Sequence, residues 1–299
     1  MFLKRRRFMY INVNGHDAAV IFIFGQSNAH GHAIIMNDDE IIKEPMKNVF
    51  GLSADKNQAY DLDEVVFDGY SSYGKNLGED QDCTNRLATF LAKMWQAEID
   101  SGNKMGLPDL YIVQISIGAQ GTIKAYFWTG GVVDQMWKPD RPRVMKPGPG
   151  DKCDISLYPL AQQTIENTMK YLHKNFKNPV SLGLHWIGSE GDTAPFDPTF
   201  FDHATDYYEE FFKGLRGKTD IDCPLYFYEL CNNQKNCDKI NAAFRELADR
   251  DSTVHIVETS KTPEFGLDKK NRGIFIDDGL HYKRETHRWF AQRLFDSIK

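Results

Sequence analysis

Five short apolar runs, rich in β-branched and aromatic residues, recur along the chain with amphipathic stretches between them. They occupy 18–24, 110–116, 182–187, 225–230 and 254–258. Largely apolar runs of this length predict strands buried on both faces. Between the first two, Leu87, Phe90, Leu91, Met94 and Trp95 fall on one helical stripe, which predicts an amphipathic helix. Comparable stretches cover about 158–174, 200–216, 237–250 and 282–298. Strand and helix therefore alternate. The pattern predicts an α/β fold with a mostly parallel five-stranded sheet, helices on both faces, and function carried on the loops after the strands. No repeat or low-complexity linker divides the chain, so one domain over 1–299 is expected.

Two long stretches break the alternation. Residues 29–80 are polar, acidic and turn-rich, and 126–153 hold Trp128, Trp137 and a run of Gly and Pro that includes Pro147-Gly148-Pro149-Gly150. Loops of this length inside a domain are usually functional. Both leave strand ends near the end of the first strand, so they are expected to wall or cover a site there, or else to cover the sheet edge.

Composition narrows the classes. With 41% hydrophobic and 26% charged residues the chain reads as an ordinary globular protein. A net charge of −6 and a pI of 5.9 argue against nucleic acid as a partner, because phosphate binding calls for a basic face. No run approaches the ~20 apolar residues of a membrane helix. Lys4-Arg5-Arg6-Arg7 imitates the start of a signal peptide, but Asn12, Asn14, His16 and Asp17 interrupt the apolar stretch. A cytoplasmic chain, or a secreted one without its leader, is expected. Five scattered cysteines, an odd number, favour reduced thiols. Cys231 and Cys237 are near enough in sequence to bridge or share a metal, but no second Cys or His pair accompanies them, and no metal is expected.

The candidate chemistry lies at the two ends. Gly25-Gln26-Ser27-Asn28 follows directly on the first apolar run, so Ser27 is expected at the carboxyl edge of the sheet, where open α/β folds bind ligands. Serine is a weak nucleophile without a base, and an imidazole oriented by a carboxylate is the usual remedy. Asp278 and His281, in Asp-Asp-Gly-Leu-His, supply both groups. The blander readings are a Ser27 that caps a helix, and an Asp278 that caps the last helix beside a solvated His281. His30 and His32 make a weak metal pair without a third ligand. Tyr126, Trp128 and Trp137 are candidates to stack on a sugar ring, or to pack within a lid.

These blocks resemble the SGNH hydrolase superfamily, and within it the carbohydrate esterases of the sialate O-acetylesterase and acetylxylan esterase type. The likeness runs from about residue 18 to 298. It consists of Gly25-Gln26-Ser27-Asn28, a second block at Gly118, Gln120, Gly121 and Thr122 with Trp128 beyond it, a partial third block at Gly188-Ser189-Glu190-Gly191-Asp192, and Asp278 with His281. The resemblance implies a flavodoxin-like three-layer α/β/α sandwich and a cofactor-free serine esterase that removes acetyl or other short acyl groups from carbohydrate hydroxyls. It implies Ser27, Asp278 and His281 as the triad, and the backbone N–H groups of Ser27 and Gly121 as the oxyanion hole. Gln26, Asn28, Gln120, Gly188, Ser189 and Glu190 are expected to support the site. Gly188 stands where that family carries a Gln donor, and Ser189 or Gln120 is the expected replacement. The expected partner is a small-molecule or polysaccharide acyl ester, with no nucleic acid and no membrane. The rival readings are a general or lipolytic short-chain esterase, a carbohydrate-binding protein that has lost activity, and a metal-dependent hydrolase.

Overall fold

A computed structural model describes residues 10–32, 36–54, 56–57, 64–78, 86–126, 132–133, 137, 157–230, 234–265 and 273–299. In chain order the elements are β1 (Ala18–Gly25), α1 (Ser27–His30), β2 (Val49–Leu52), β3 (Phe67–Gly69), α2 (Arg86–Asp100), β4 (Asp109–Ser116), β5 (Ala125–Tyr126), β6 (Val132–Val133), α3 (Leu157–Asn175), β7 (Pro179–Ile187), α4 (Ala204–Arg216), β8 (Leu225–Tyr228), α5 (Cys237–Arg250), β9 (Val254–Val257) and α6 (Arg284–Phe295). Seven strands form one sheet in the order β3-β2-β4-β1-β7-β8-β9, and β5 and β6 form a separate ribbon. All neighbours in the large sheet are parallel except β2 and β3.

The five apolar runs are the strands β4-β1-β7-β8-β9. Taken in chain order their arrangement is 2-1-3-4-5, the doubly wound order of flavodoxin-like sheets. The sheet has seven strands rather than five, because β2 and β3 extend it at the β4 edge. Both come from 29–80, so part of that stretch completes the sheet instead of walling a site. Of 126–153 only Tyr126, β6 and Trp137 are described.

Side-chain alternation along β1 builds both outer layers. All eight of its residues are buried. Ala18, Val20, Phe22 and Phe24 face a core shared with α3, α4 and α5. Ala19, Ile21 and Ile23 face a second core shared with α2 and α6. Each Ile or Phe buried in this way contributes roughly 1.5–3 kcal/mol, and a polar residue at any of them would expose an unpartnered group to one core. The sandwich therefore has three layers, with β1 at its centre. Cys223 and Cys237 are buried; Cys231 lies outside the described residues. Among the described residues, no helix is long and apolar enough to cross a membrane.

Candidate active site

Ser27 stands on a sharp turn at the end of β1. Gly25 has φ +144°, and a Cβ there would lie 2.0 Å from the Ile187 carbonyl oxygen, so only glycine fits between β1 and β7. The Gln26 N–H donates to that same oxygen at 3.2 Å. The chain then winds one turn: Ala29 and His30 donate to the Gln26 carbonyl, Gly31 and His32 donate to the Ser27 carbonyl, and Gly31 ends the turn in the left-handed region. Ser27 thus reaches the edge of the sheet between β1 and β7, where the connections from the strands diverge and open α/β sheets bind ligands. Its amide sits in the first turn, where helical N–H groups have no helical acceptor. Trp137 braces this turn from below. Its indole N–H donates to the Gly25 carbonyl at 3.2 Å, and its ring packs on Phe24 and Trp186. It is fully buried, which removes it from the candidates for sugar stacking.

Asp278 and His281 meet within one turn. Asp278 Oδ1 accepts from the backbone N–H groups of Leu280 and His281 at 2.8 and 2.9 Å, and Oδ2 lies 2.6 Å from His281 Nδ1. Burial alone would raise the Asp278 carboxyl, but those two N–H groups and the imidazole outweigh it and hold the carboxyl below its ordinary value. An ionised acceptor on Nδ1 fixes that nitrogen as the protonated one and leaves Nε2 as the basic one. The last helix begins only at Arg284, with Lys283 at the cap position. Asp278 therefore does not cap it, and the His281 side chain is only 14% exposed rather than solvated.

One side chain joins these two turns. The Asn28 amide, next to Ser27, accepts from the Tyr282 N–H at 2.9 Å and donates to the Leu280 carbonyl at 3.2 Å. Both residues adjoining His281 are therefore held by the residue adjoining Ser27. The same Asn28 Nδ2 donates to Glu190 Oε1 at 2.6 Å.

The third block closes the other side. The Gly191 N–H donates to Gln26 Oε1 at 3.3 Å. Asp192 is fully buried and accepts from Thr122 N (2.7 Å), Thr122 Oγ1 (2.8 Å), Ile123 N (3.2 Å) and Tyr208 Oη (2.9 Å). It thereby pins the bend that follows Gly121. A Cβ on Gly191 would lie 3.2 Å from the Gly121 nitrogen, so the two blocks pack backbone against backbone. Gly188 faces Gly25 and Gln26, with a built Cβ 3.3 and 3.4 Å away. Burial raises the carboxyls of both Glu190 and Asp192, and the donors on each oppose that rise. Ser189, expected as a replacement oxyanion donor, instead accepts the Trp186 indole N–H at 3.0 Å and is fully buried; it supports the block from beneath. Gln120 is half-buried beside Gly121.

His30 is buried with Nδ1 3.3 Å from Asn76 Nδ2, and the His32 ring lies 4.9 Å from that of His281. Among the described residues no three His, Cys, Asp or Glu side chains converge as metal ligands would. Tyr126 is 50% exposed and packs on Phe196, itself 38% exposed, with ring centroids 4.1 Å apart. Trp128 lies outside the described residues. Sequence reasoning missed Phe196 and the joining role of Asn28. Only contacts between residues far apart in the chain reveal them.

No protein-family model matches the chain, and no curated protein sequence matches it. Its fold is similar to that of a protein from Arabidopsis thaliana solved at 1.6 Å, with a TM-score of 0.58 at 14% identity over 94% of this chain and 97% of that one. It is also similar to NanS, with a TM-score of 0.52 at 16% identity over 94% and 98%. At such identities the likeness is one of fold.

Proposed function

We propose that the protein is a serine esterase that removes acetyl or another short acyl group from a carbohydrate hydroxyl. The observation that carries the reading is the Asn28 amide, which holds both neighbours of His281 against the neighbour of Ser27 while Asp278 orients the imidazole. A buried amide joining two turns from opposite ends of the chain supports a reaction that uses the serine and the imidazole together.

The steps follow from the groups. His281 Nε2 takes the Ser27 proton as Oγ attacks the acyl carbonyl, and the resulting oxyanion faces the N–H groups of Ser27 and Gly121. The imidazolium, stabilised by Asp278, returns its proton to the leaving alcohol, which leaves an acyl-enzyme. Water then gives a proton to Nε2 as it attacks the acyl-enzyme ester, and Nε2 passes that proton to Ser27 Oγ as the acid leaves. The exposed pair Tyr126 and Phe196 favours a sugar as the alcohol. It stands on backbone bonded just beyond the third block, with Tyr126 N donating to the Ala194 carbonyl at 2.9 Å, and aromatic faces suit sugar rings.

A second reading, a carbohydrate-binding protein without activity, draws on Gly188, which offers the oxyanion no side chain. A p-nitrophenyl ester series from acetate to octanoate, with and without a serine-directed phosphonate, separates the two. Acetate turnover abolished by the reagent supports the esterase; absence of turnover and of labelling at Ser27 supports binding alone. Turnover that peaks at octanoate points to a lipolytic enzyme instead.

A further inference from the structure

Glu190 is a buried carboxyl that the steps above do not use. It is 4% exposed, and only one of its oxygens is engaged: Oε1 accepts from Asn28 Nδ2 at 2.6 Å, whereas Oε2 has no hydrogen-bond partner among the described residues. Burying a carboxyl with half its capacity unmet is costly. A side chain kept only for packing would avoid that cost with Leu or Met. Besides its own backbone N–H, the group that this carboxyl meets is the amide that joins the two turns.

The direction of that amide matters. Oδ1 must face the Tyr282 N–H, and Nδ2 must face the Leu280 carbonyl. Reversing it would set a donor against a donor and an oxygen against an oxygen. The Leu280 contact, at 3.2 Å, is the longer of the two that Nδ2 makes. The Glu190 contact is short and comes from a different element, the 3-10 turn Glu190–Thr193. That turn is anchored independently, through the Gly191 N–H to Gln26 and through Asp192 to Thr122 and Tyr208. Glu190 therefore presents a fixed acceptor to an amide whose other two partners are loop backbone groups.

We propose that Glu190 is a positioning residue that acts through Asn28: its Oε1 locks the amide in the one orientation that holds Leu280 and Tyr282, and so sets where His281 stands relative to Ser27. The proposal rests on the esterase reading for its kinetic consequence and on geometry alone for its structural one. Burial favours the neutral carboxyl, which still accepts through its carbonyl oxygen. Glu190→Gln should therefore serve nearly as well, because a glutamine oxygen accepts from Asn28 Nδ2 in the same way.

Four variants test this by kcat and KM on p-nitrophenyl acetate, by the rate of phosphonate inactivation, and by hydrogen exchange over 276–283. Glu190→Gln is expected within about 3-fold of the parent in kcat. Glu190→Leu, which fills the space without an acceptor, should lower kcat and the inactivation rate by about 10-fold or more with KM little changed, since misplacement of a reacting group by 1 Å can cost about 10². Asn28→Asp should be slow, because its second oxygen faces Glu190 Oε1 and the Leu280 carbonyl. Adding Glu190→Gln to it should recover at least part of the loss, because the glutamine amide then donates to the new carboxylate. Exchange over 276–283 should rise in Glu190→Leu and Asn28→Asp, and fall back in the pair.

Parent-like kcat and exchange in Glu190→Leu would overturn the proposal, as would a double variant no better than Asn28→Asp alone. If Glu190→Leu does not fold, the comparison of Asn28→Asp with its double variant decides. A parent that neither turns over ester nor takes the phosphonate would defeat the esterase reading instead. The exchange measurements would still report on the Glu190 lock.

Discussion

The sharpest energetic prediction concerns Asp192, whose carboxylate receives four hydrogen bonds in a fully buried position. In Asp192→Ala the two hydroxyls, on Thr122 and Tyr208, can rotate toward other acceptors. The backbone N–H groups of Thr122 and Ile123 cannot. Orphaning the buried Thr122 N–H costs about 1–3 kcal/mol and orphaning the half-buried Ile123 N–H somewhat less, so the two together cost roughly 3–4 kcal/mol before the void is counted. Against a typical total of about 5–15 kcal/mol, that is a large fraction of the stability. Asp192→Asn behaves differently. Oδ1, which takes both backbone N–H groups, is kept, and the new amide faces two hydroxyls that can turn to accept from it. Its cost should be about 1–2 kcal/mol, from lost charge assistance. Urea unfolding followed by circular dichroism, fitted with a common m value, measures the difference. A gap of about 2–3 kcal/mol between Ala and Asn is expected. In Asp192→Ala the bend after Gly121 should also come loose, lowering kcat on an aryl acetate well below that of Asp192→Asn. If Asp192→Ala lies within about 1 kcal/mol of the parent, or Asn costs as much as Ala, then the backbone N–H groups do not depend on this carboxylate and the reasoning fails.

Four other expectations follow from the same geometry. Ser27→Ala should lower kcat by at least about 10³ with the fold intact, and Ser27→Ala/His281→Ala should be little slower; multiplicative losses in single-turnover assays would mean that His281 does not act as the base of Ser27. Gly25→Ala, whose Cβ would meet the Ile187 oxygen at 2.0 Å with φ at +144°, should lose more than about 4 kcal/mol or fail to fold, and a parent-like Tm would sink this account of the turn. Gly188 is not in the left-handed region, but a Cβ there would lie 3.3 Å from the Gly25 Cα, so Gly188→Gln should fold with a lowered Tm and raise kcat on an aryl acetate; if kcat is unchanged, Gln120→Ala must cost about 10-fold, and parent-like rates in both would remove the third block from the oxyanion hole. Burial holds the Glu190 carboxyl above its unfolded value. The folded state then keeps a proton that the unfolded state releases, and stability falls as pH rises between those two values. Melts of Glu190→Gln across about pH 4 to 8 should show its Tm gaining on the parent as pH rises; a constant difference would mean that Glu190 ionises normally.

How far the sequence could be read depended on how local each feature is. β1, β4, β7 and β8 were legible because each is a largely apolar run buried on both faces, β9 because its short run is rich in β-branched residues although His255 and Ile256 are half-buried, and the helices because their stripes repeat at helical spacing. β2 and β3 were not. Val49–Leu52 is four residues long with a glycine inside, and Phe67–Gly69 is half-buried throughout. β2 is a strand because β4 offers an edge to pair with, and β3 because β2 in turn offers one; nothing in the composition of either requires that. Trp137 misled for a related reason: a lone Trp among Gly and Pro has no periodicity, so nothing in its surroundings marks a side chain that fills the core beneath Gly25.

The candidate site divides along the same line. Asp278 and His281 lie three residues apart, so a single Asx turn brings carboxylate and imidazole together and the spacing alone suggests the pair. Gly25 and Ser27 are likewise set by one tight turn after a strand. What brings these two local devices together is distant in sequence: Asn28 reaches Tyr282 across 254 positions and Glu190 across 162. Those contacts exist only once β1 and β7 lie side by side and the loop before α6 has folded back over them. A turn can be read from its own residues. The relative placement of two turns belongs to the sheet, and here it is held by one amide whose direction a third element fixes. Substitutions at Asn28 or Glu190 should therefore leave both turns formed and separate their action, whereas substitutions at Gly25 or Asp278 destroy a turn outright.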